Sequence, residues 1–80
     1  MKQTRVIFIY EGSTRDVLAV FPDSKKGNWF DCFAFIGGHS VCSVDYLTMS
    51  EVAKVGDILP VYNFLTSQGY NLKRLTKKVF

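Results

Sequence analysis

The first third of the chain is patterned as strands. From Thr4 to Tyr10, Val6, Phe8 and Tyr10 fall on one face and Ile7 and Ile9 on the other. Both faces are apolar, which predicts a central strand. Glu11-Gly12-Ser13-Thr14 has the composition of a turn. Asp16 to Phe21 predicts a second strand, ended by Pro22. The short connection makes the pair an antiparallel hairpin. Pro22 to Asn28 is polar and predicts an exposed loop. Trp29 to Ile36 is a third strand, with Trp29, Asp31, Phe33 and Phe35 on one face and Phe30, Cys32, Ala34 and Ile36 on the other. Gly37-Gly38 then breaks the regularity.

Residues 43–52 fit two patterns. Ser43 to Leu47 suits a fourth strand, whereas Thr48 and Glu51 have the spacing of a capping box. The reading adopted is an extended segment to about Val52, then a turn at Gly56. A helix follows from Asp57, a good N-cap, with Pro60 in its first turn. Ile58, Val61, Tyr62 and Leu65 line one helical face. Gly69 fits a left-handed C-terminal cap, with Tyr70 packing back on the last turn. Tyr70 to Val79 is a last strand. The expected fold class is α+β: a single domain over residues 1–80, with a small, mostly antiparallel sheet of four or five strands and one helix, in the order β-β-β-(β)-α-β. The helix lets the last strand cross the sheet and pair with the first.

Composition adds an expectation of self-association. Hydrophobic residues make up 48% of 80 residues, including seven Phe, four Tyr and one Trp. A chain this short buries only about 60% of its unfolded surface, so a homodimer or higher homo-oligomer would cover the remaining aromatics. No apolar run approaches the length of a membrane span, and no secretion signal is evident. A cytoplasmic protein is expected, without a membrane partner. Cys32 and Cys42 are too few for a disulfide scaffold, so reduced thiols are expected, with a single bridge as the lesser alternative. The charge is uneven. Lys2, Arg5, Lys73, Arg74, Lys77 and Lys78 occupy the two ends without an acid, while all seven Asp and Glu lie between. Ends lying side by side would form one basic surface.

Val6-Ile7-Phe8, Asp16 to Pro22, Gly37-Gly38-His39-Ser40 and Gly69-Tyr70-Asn71-Leu72-Lys73 occur in that order. In this pattern, over roughly residues 5–78, the chain resembles a family of small uncharacterised proteins carried by phages and mobile elements of gut bacteria. The resemblance implies an accessory protein in the cytoplasm of a host cell. Such proteins act by binding a host component or sequestering a small molecule. It carries over no activity. Two features depart from the family: Gln is usual where Gly38 stands, and the family's helix is acidic, whereas Asp57 to Gln68 contains Pro60 and few charges.

The most unusual chemistry lies at Gly37, Gly38, His39 and Ser40. Paired glycines allow positive φ and close backbone approach. Exposed amides, the Ser40 hydroxyl and a protonatable His39 suit a phosphate or other anion. The lysine of a P-loop is absent, and the bland alternative is a bulge or corner of the sheet. Cys32, His39 and Cys42, with Asp45, match no zinc spacing, so no metal or cofactor is expected. His39 beside Cys42 would be a nucleophile and base without an orienting third group. Arg5, Lys73, Arg74, Lys77 and Lys78 suit phosphate contacts, with Tyr10, Tyr70 and Phe80 for base stacking; the alternative is a solvated edge strand guarded by lysines. The leading expectation is a non-enzymatic binding module that self-associates and engages an anionic ligand, either a nucleotide or a nucleic acid. The alternatives are a protein-protein inhibitor of a host component, acting through the Ile58–Leu65 helix or the Lys25–Trp29 loop, and a small hydrolase using His39.

Overall fold

A computed structural model of the chain describes residues 3–11, 16–34 and 38–77. Its elements are β1 (Thr4–Glu11), β2 (Asp16–Lys26), β3 (Trp29–Ala34), β4 (Gly38–Ser43), α1 (Val44–Thr48), α2 (Val55–Ser67) and β5 (Leu72–Leu75). The fold is α+β, with a five-stranded mixed sheet in the order β4-β3-β2-β1-β5. β1–β2, β2–β3 and β3–β4 are antiparallel; β1–β5 is parallel.

β1 lies inside the sheet, as its two apolar faces require. Val6, Phe8 and Tyr10 pack with Ala19, Phe21 and Phe33 under Ile58, Val61 and Leu65 of α2. Ile7 and Ile9 pack on the opposite face with Leu18, Val20, Phe30, Cys32 and Ala34, where Leu47 of α1 covers them. Two segments share the far edge of β1. Thr4 to Ile7 register with Leu72 to Leu75. Farther along, the Tyr10 N–H donates to Glu51 O at 2.9 Å and the Ala53 N–H to Phe8 O at 2.8 Å. β1 is thus paired along most of both edges, which satisfies its buried backbone.

The structure corrects several local expectations. β2 does not stop at Pro22. It continues to Lys26 through an irregularity between Phe21 and Lys26, where the ladder has no need of a proline N–H. Inside the irregularity, Ser24 Oγ accepts the Asp31 N–H at 2.9 Å and donates to Phe21 O at 2.5 Å. The expected long loop reduces to a turn at Gly27 and Asn28, where Gly27 adopts the φ of +60° that a two-residue hairpin turn favours. Residues 43–52 are not one extended segment. β4 ends at Ser43, whose Oγ caps α1 by accepting the Tyr46 N–H at 3.3 Å. The Thr48–Glu51 spacing therefore starts no helix.

There are two helices rather than one, and α2 starts before Asp57. Lys54 is its N-cap and Gly56 lies inside it. The Tyr10 hydroxyl replaces a local cap: it accepts the Lys54 N–H at 3.1 Å and donates to the Asp57 carboxylate. Pro60 consequently lies beyond the first turn, where it forfeits a helical hydrogen bond. The C-terminus follows expectation. Gly69 has φ of +101°. Its N–H reaches Thr66 O at 3.1 Å and the Tyr70 N–H reaches Leu65 O at 3.2 Å, the two bonds of a Schellman motif. β5 is shorter than the Tyr70–Val79 expectation, and the stretches of β3 expected at Phe35 and Ile36 lie outside the described residues. None of the described helices is long and apolar enough to cross a membrane.

Candidate functional site

The glycine-histidine tract is mostly strand. Gly38 opens β4 with φ of +64°, the left-handed conformation that suits glycine at the end of a hairpin. His39 stands opposite Phe33 and Ser40 opposite Cys32. Gly37 lies outside the described residues. The expected loop of converging amides is therefore not formed by Gly38 to Ser40: successive N–H groups of an extended strand point to opposite edges. What the tract contributes to the α2 face is the His39 imidazole on an exposed edge strand; the Ser40 side chain alternates to the opposite face, where its Oγ meets Cys32 Sγ at 3.4 Å.

That strand borders a groove of about 540 Å³ on the sheet face that carries α2. The groove is lined by Thr4 of β1, Phe21 and Ser24 of β2, Asp31 of β3, His39, Ser40 and Val41 of β4, and Tyr70 after α2. Aromatic packing shapes its surroundings. Tyr70 stacks on Phe21 with ring centres 5.7 Å apart. Phe33 stacks on Phe64 of α2 at 5.4 Å, and the His39 ring tilts against Phe33 at 4.9 Å. The Schellman turn at Gly69 redirects the chain so that Tyr70 reaches Phe21, and the Ser24 contact fixes the backbone at Asp31. Asp31 alternates with buried neighbours along β3 and is exposed to the groove. The site thus combines aromatic surface, a carboxylate, an imidazole and hydroxyl groups. Asp31, Ser24, Thr4 and Phe21 escape a sequence reading because four strands and a helix terminus bring them together.

The basic ends meet, but their charge is partly compensated. Arg5 and Lys73 are register partners, as are Val6 and Arg74. Arg5 is committed to Asp23: its Nε lies 3.0 and 3.2 Å from the two carboxylate oxygens, and Nη2 makes a further contact. The hydrogen bond and charge of Asp23 raise the Arg5 pKa above its ordinary value. Lys73 and Lys77 are exposed, while Arg74 is half-buried and its Nε has no hydrogen-bond partner. Lys78 and Phe80 lie outside the described residues. Tyr10 is no stacking platform, because it is buried under α2.

The cysteines and His39 part company. Cys32 belongs to the core on the α1 side and Cys42 packs against it, whereas His39 alternates to the opposite face and packs on Phe33. The strand geometry thus puts Cys42 and His39, considered above as a nucleophile and base, on opposite faces. Among the described residues no three His, Cys, Asp or Glu side chains gather as a metal set. The helix face expected to dock a host protein is also occupied, since Ile58, Val61 and Leu65 are core residues. Comparison with family models, curated proteins and solved structures finds no match for the chain.

Proposed function

We propose that this chain is a non-enzymatic binding module that holds a nucleotide-type anionic ligand in the groove beside β4 and associates with a second copy of itself. The observation that carries this reading is the groove itself. Its volume falls in the range of small-molecule sites, roughly 300–1,000 Å³, and its lining joins aromatic surface to polar groups of both kinds. A heteroaromatic base suits the Tyr70 and Phe21 surface. The Asp31 carboxylate accepts hydrogen bonds from base N–H or ribose hydroxyl groups, and His39 supplies a donor for a phosphate. Asp31 repels phosphate, so base and sugar lie against Asp31 and the phosphate against His39, while Asp23 compensates Arg5 and weakens the basic edge as a nucleic-acid track.

Self-association is supported by β4. Gly38 to Ser43 is an edge strand containing no Lys, Glu or Pro and bearing an exposed Val41. Such an edge lacks the features that normally block pairing. A setting in the cytoplasm of a phage-bearing or element-bearing host cell is part of the same proposal and rests on the family resemblance alone. A second reading, a protein partner, is favoured by Met49, Val55 and Leu59, which are 88%, 54% and 48% exposed.

Native mass spectrometry of the purified full chain tests the proposal. The expected spectrum is a dimer or larger assembly with a small molecule released on denaturation, and His39→Ala lowers its occupancy. A bare monomer that takes up no added mononucleotide would overturn the proposal.

A further inference from the structure

A second chemistry lies on the other face of β3 and β4, independent of the groove. Cys32 stands opposite Ser40 and Phe30 opposite Cys42, so the two cysteines occupy diagonal positions on adjacent strands. Their Sγ atoms are 2.7 Å apart. The side chains point to the same face, and closing to a disulfide needs the sulfurs to reach only about 2.05 Å. Ser40 Oγ lies 3.4 Å from Cys32 Sγ, a polar neighbour for a sulfur that is otherwise within an apolar core. The two thiols differ in access. Cys32 is completely buried, while Cys42 is half-buried on the edge strand and lines an opening of about 340 Å³ with Trp29, Ser43 and Tyr46.

We propose that Cys32 and Cys42 are a redox-active dithiol that small-molecule disulfides oxidise to an internal bridge. Cys42 loses its proton and its thiolate attacks one sulfur of the incoming disulfide. The disulfide's S–S bond breaks and one thiolate leaves. Cys32 then gives up its proton and attacks Cys42 Sγ, expelling the second thiolate. The protein loses two electrons and two protons, and the oxidant becomes two thiols. The order follows from access: the edge cysteine meets the reagent and the buried one resolves the adduct. The product joins β4 covalently to β3, the one strand with which β4 pairs among the described residues. Oxidation therefore fixes the strand that carries His39 and Val41.

The test treats the reduced full chain, natively folded, with oxidised glutathione and reads intact mass and peptide maps. The expected product is a monomeric chain lighter by two hydrogen atoms, with the Cys32 and Cys42 peptides joined. Cys32→Ser should stop at a persistent glutathione adduct on Cys42, and Cys42→Ser should leave Cys32 unreacted. Hydrogen exchange of the β4 amides should slow on oxidation of the wild type and stay unchanged in either variant. A stable glutathione adduct on the wild type, bridges between chains in place of the internal one, or an unreacted dithiol under conditions that oxidise dithiothreitol would each overturn the proposal.

Discussion

At the scale of single residues, Tyr10 carries more of the fold than its place in an apolar run suggests. Its ring is core, and its hydroxyl joins the first turn of α2 to β1 by accepting from Lys54 and donating to Asp57. Tyr10→Phe keeps the packing and removes both bonds. It should cost about 0.5–1.5 kcal/mol, since two hydrogen bonds are lost while the exposed Asp57 carboxylate and Lys54 amide regain water. Urea denaturation measures this, and an unchanged midpoint would show that the hydroxyl is idle. Gly56 offers the opposite change. It sits in α2 with space around it and no positive φ. Gly56→Ala should therefore stabilise the chain by roughly 0.5–1 kcal/mol through helix propensity and a less flexible unfolded state. The sequence pointed to Asp57 as the cap because capping is ordinarily local. A hydroxyl 44 residues away leaves no trace in the local pattern.

At the scale of elements, legibility followed length and periodicity. β1 was readable because alternation over eight residues marks both faces. The Schellman end of α2 was readable because Gly69 and Tyr70 are neighbours in the chain. α1 was not, because five residues are too few to display a helical period. It exists because Leu47 must cover the face that Ile7, Ile9, Leu18 and Val20 present. Leu47→Ala should accordingly cost about 2–5 kcal/mol in chemical denaturation, the usual range for a fully buried leucine. Pro22 misled for a different reason: an irregular stretch of ladder accommodates a residue that a regular one rejects. β4 has the clearest consequence for assembly. If its exposed edge joins two copies, Val41→Lys should convert the dimer to monomer in sedimentation while leaving circular dichroism unchanged. A dimer that survives this substitution would place the contact elsewhere.

At the scale of the whole molecule, the last strand pairs with the first, as the chain order and the helical crossover suggested, and this sets Arg5 beside Lys73. The groove was legible at His39, Ser40 and, as a stacking surface, Tyr70. Its other walls come from β1, β2 and β3, a convergence that no spacing in the sequence encodes. The basic ends were visible as charge, but the pairing of Arg5 with Asp23 was not, since 18 residues separate them. On the proposed reading, ligand binding belongs to the groove and not to the basic edge. Amide chemical-shift mapping of the full chain during titration with mononucleotides tests it most directly. Shifts should concentrate at Thr4, Phe21, Ser24, Asp31, His39 to Val41 and Tyr70, and diminish in His39→Ala. Shifts confined to Lys73, Arg74 and Lys77, or none at millimolar nucleotide, would contradict it.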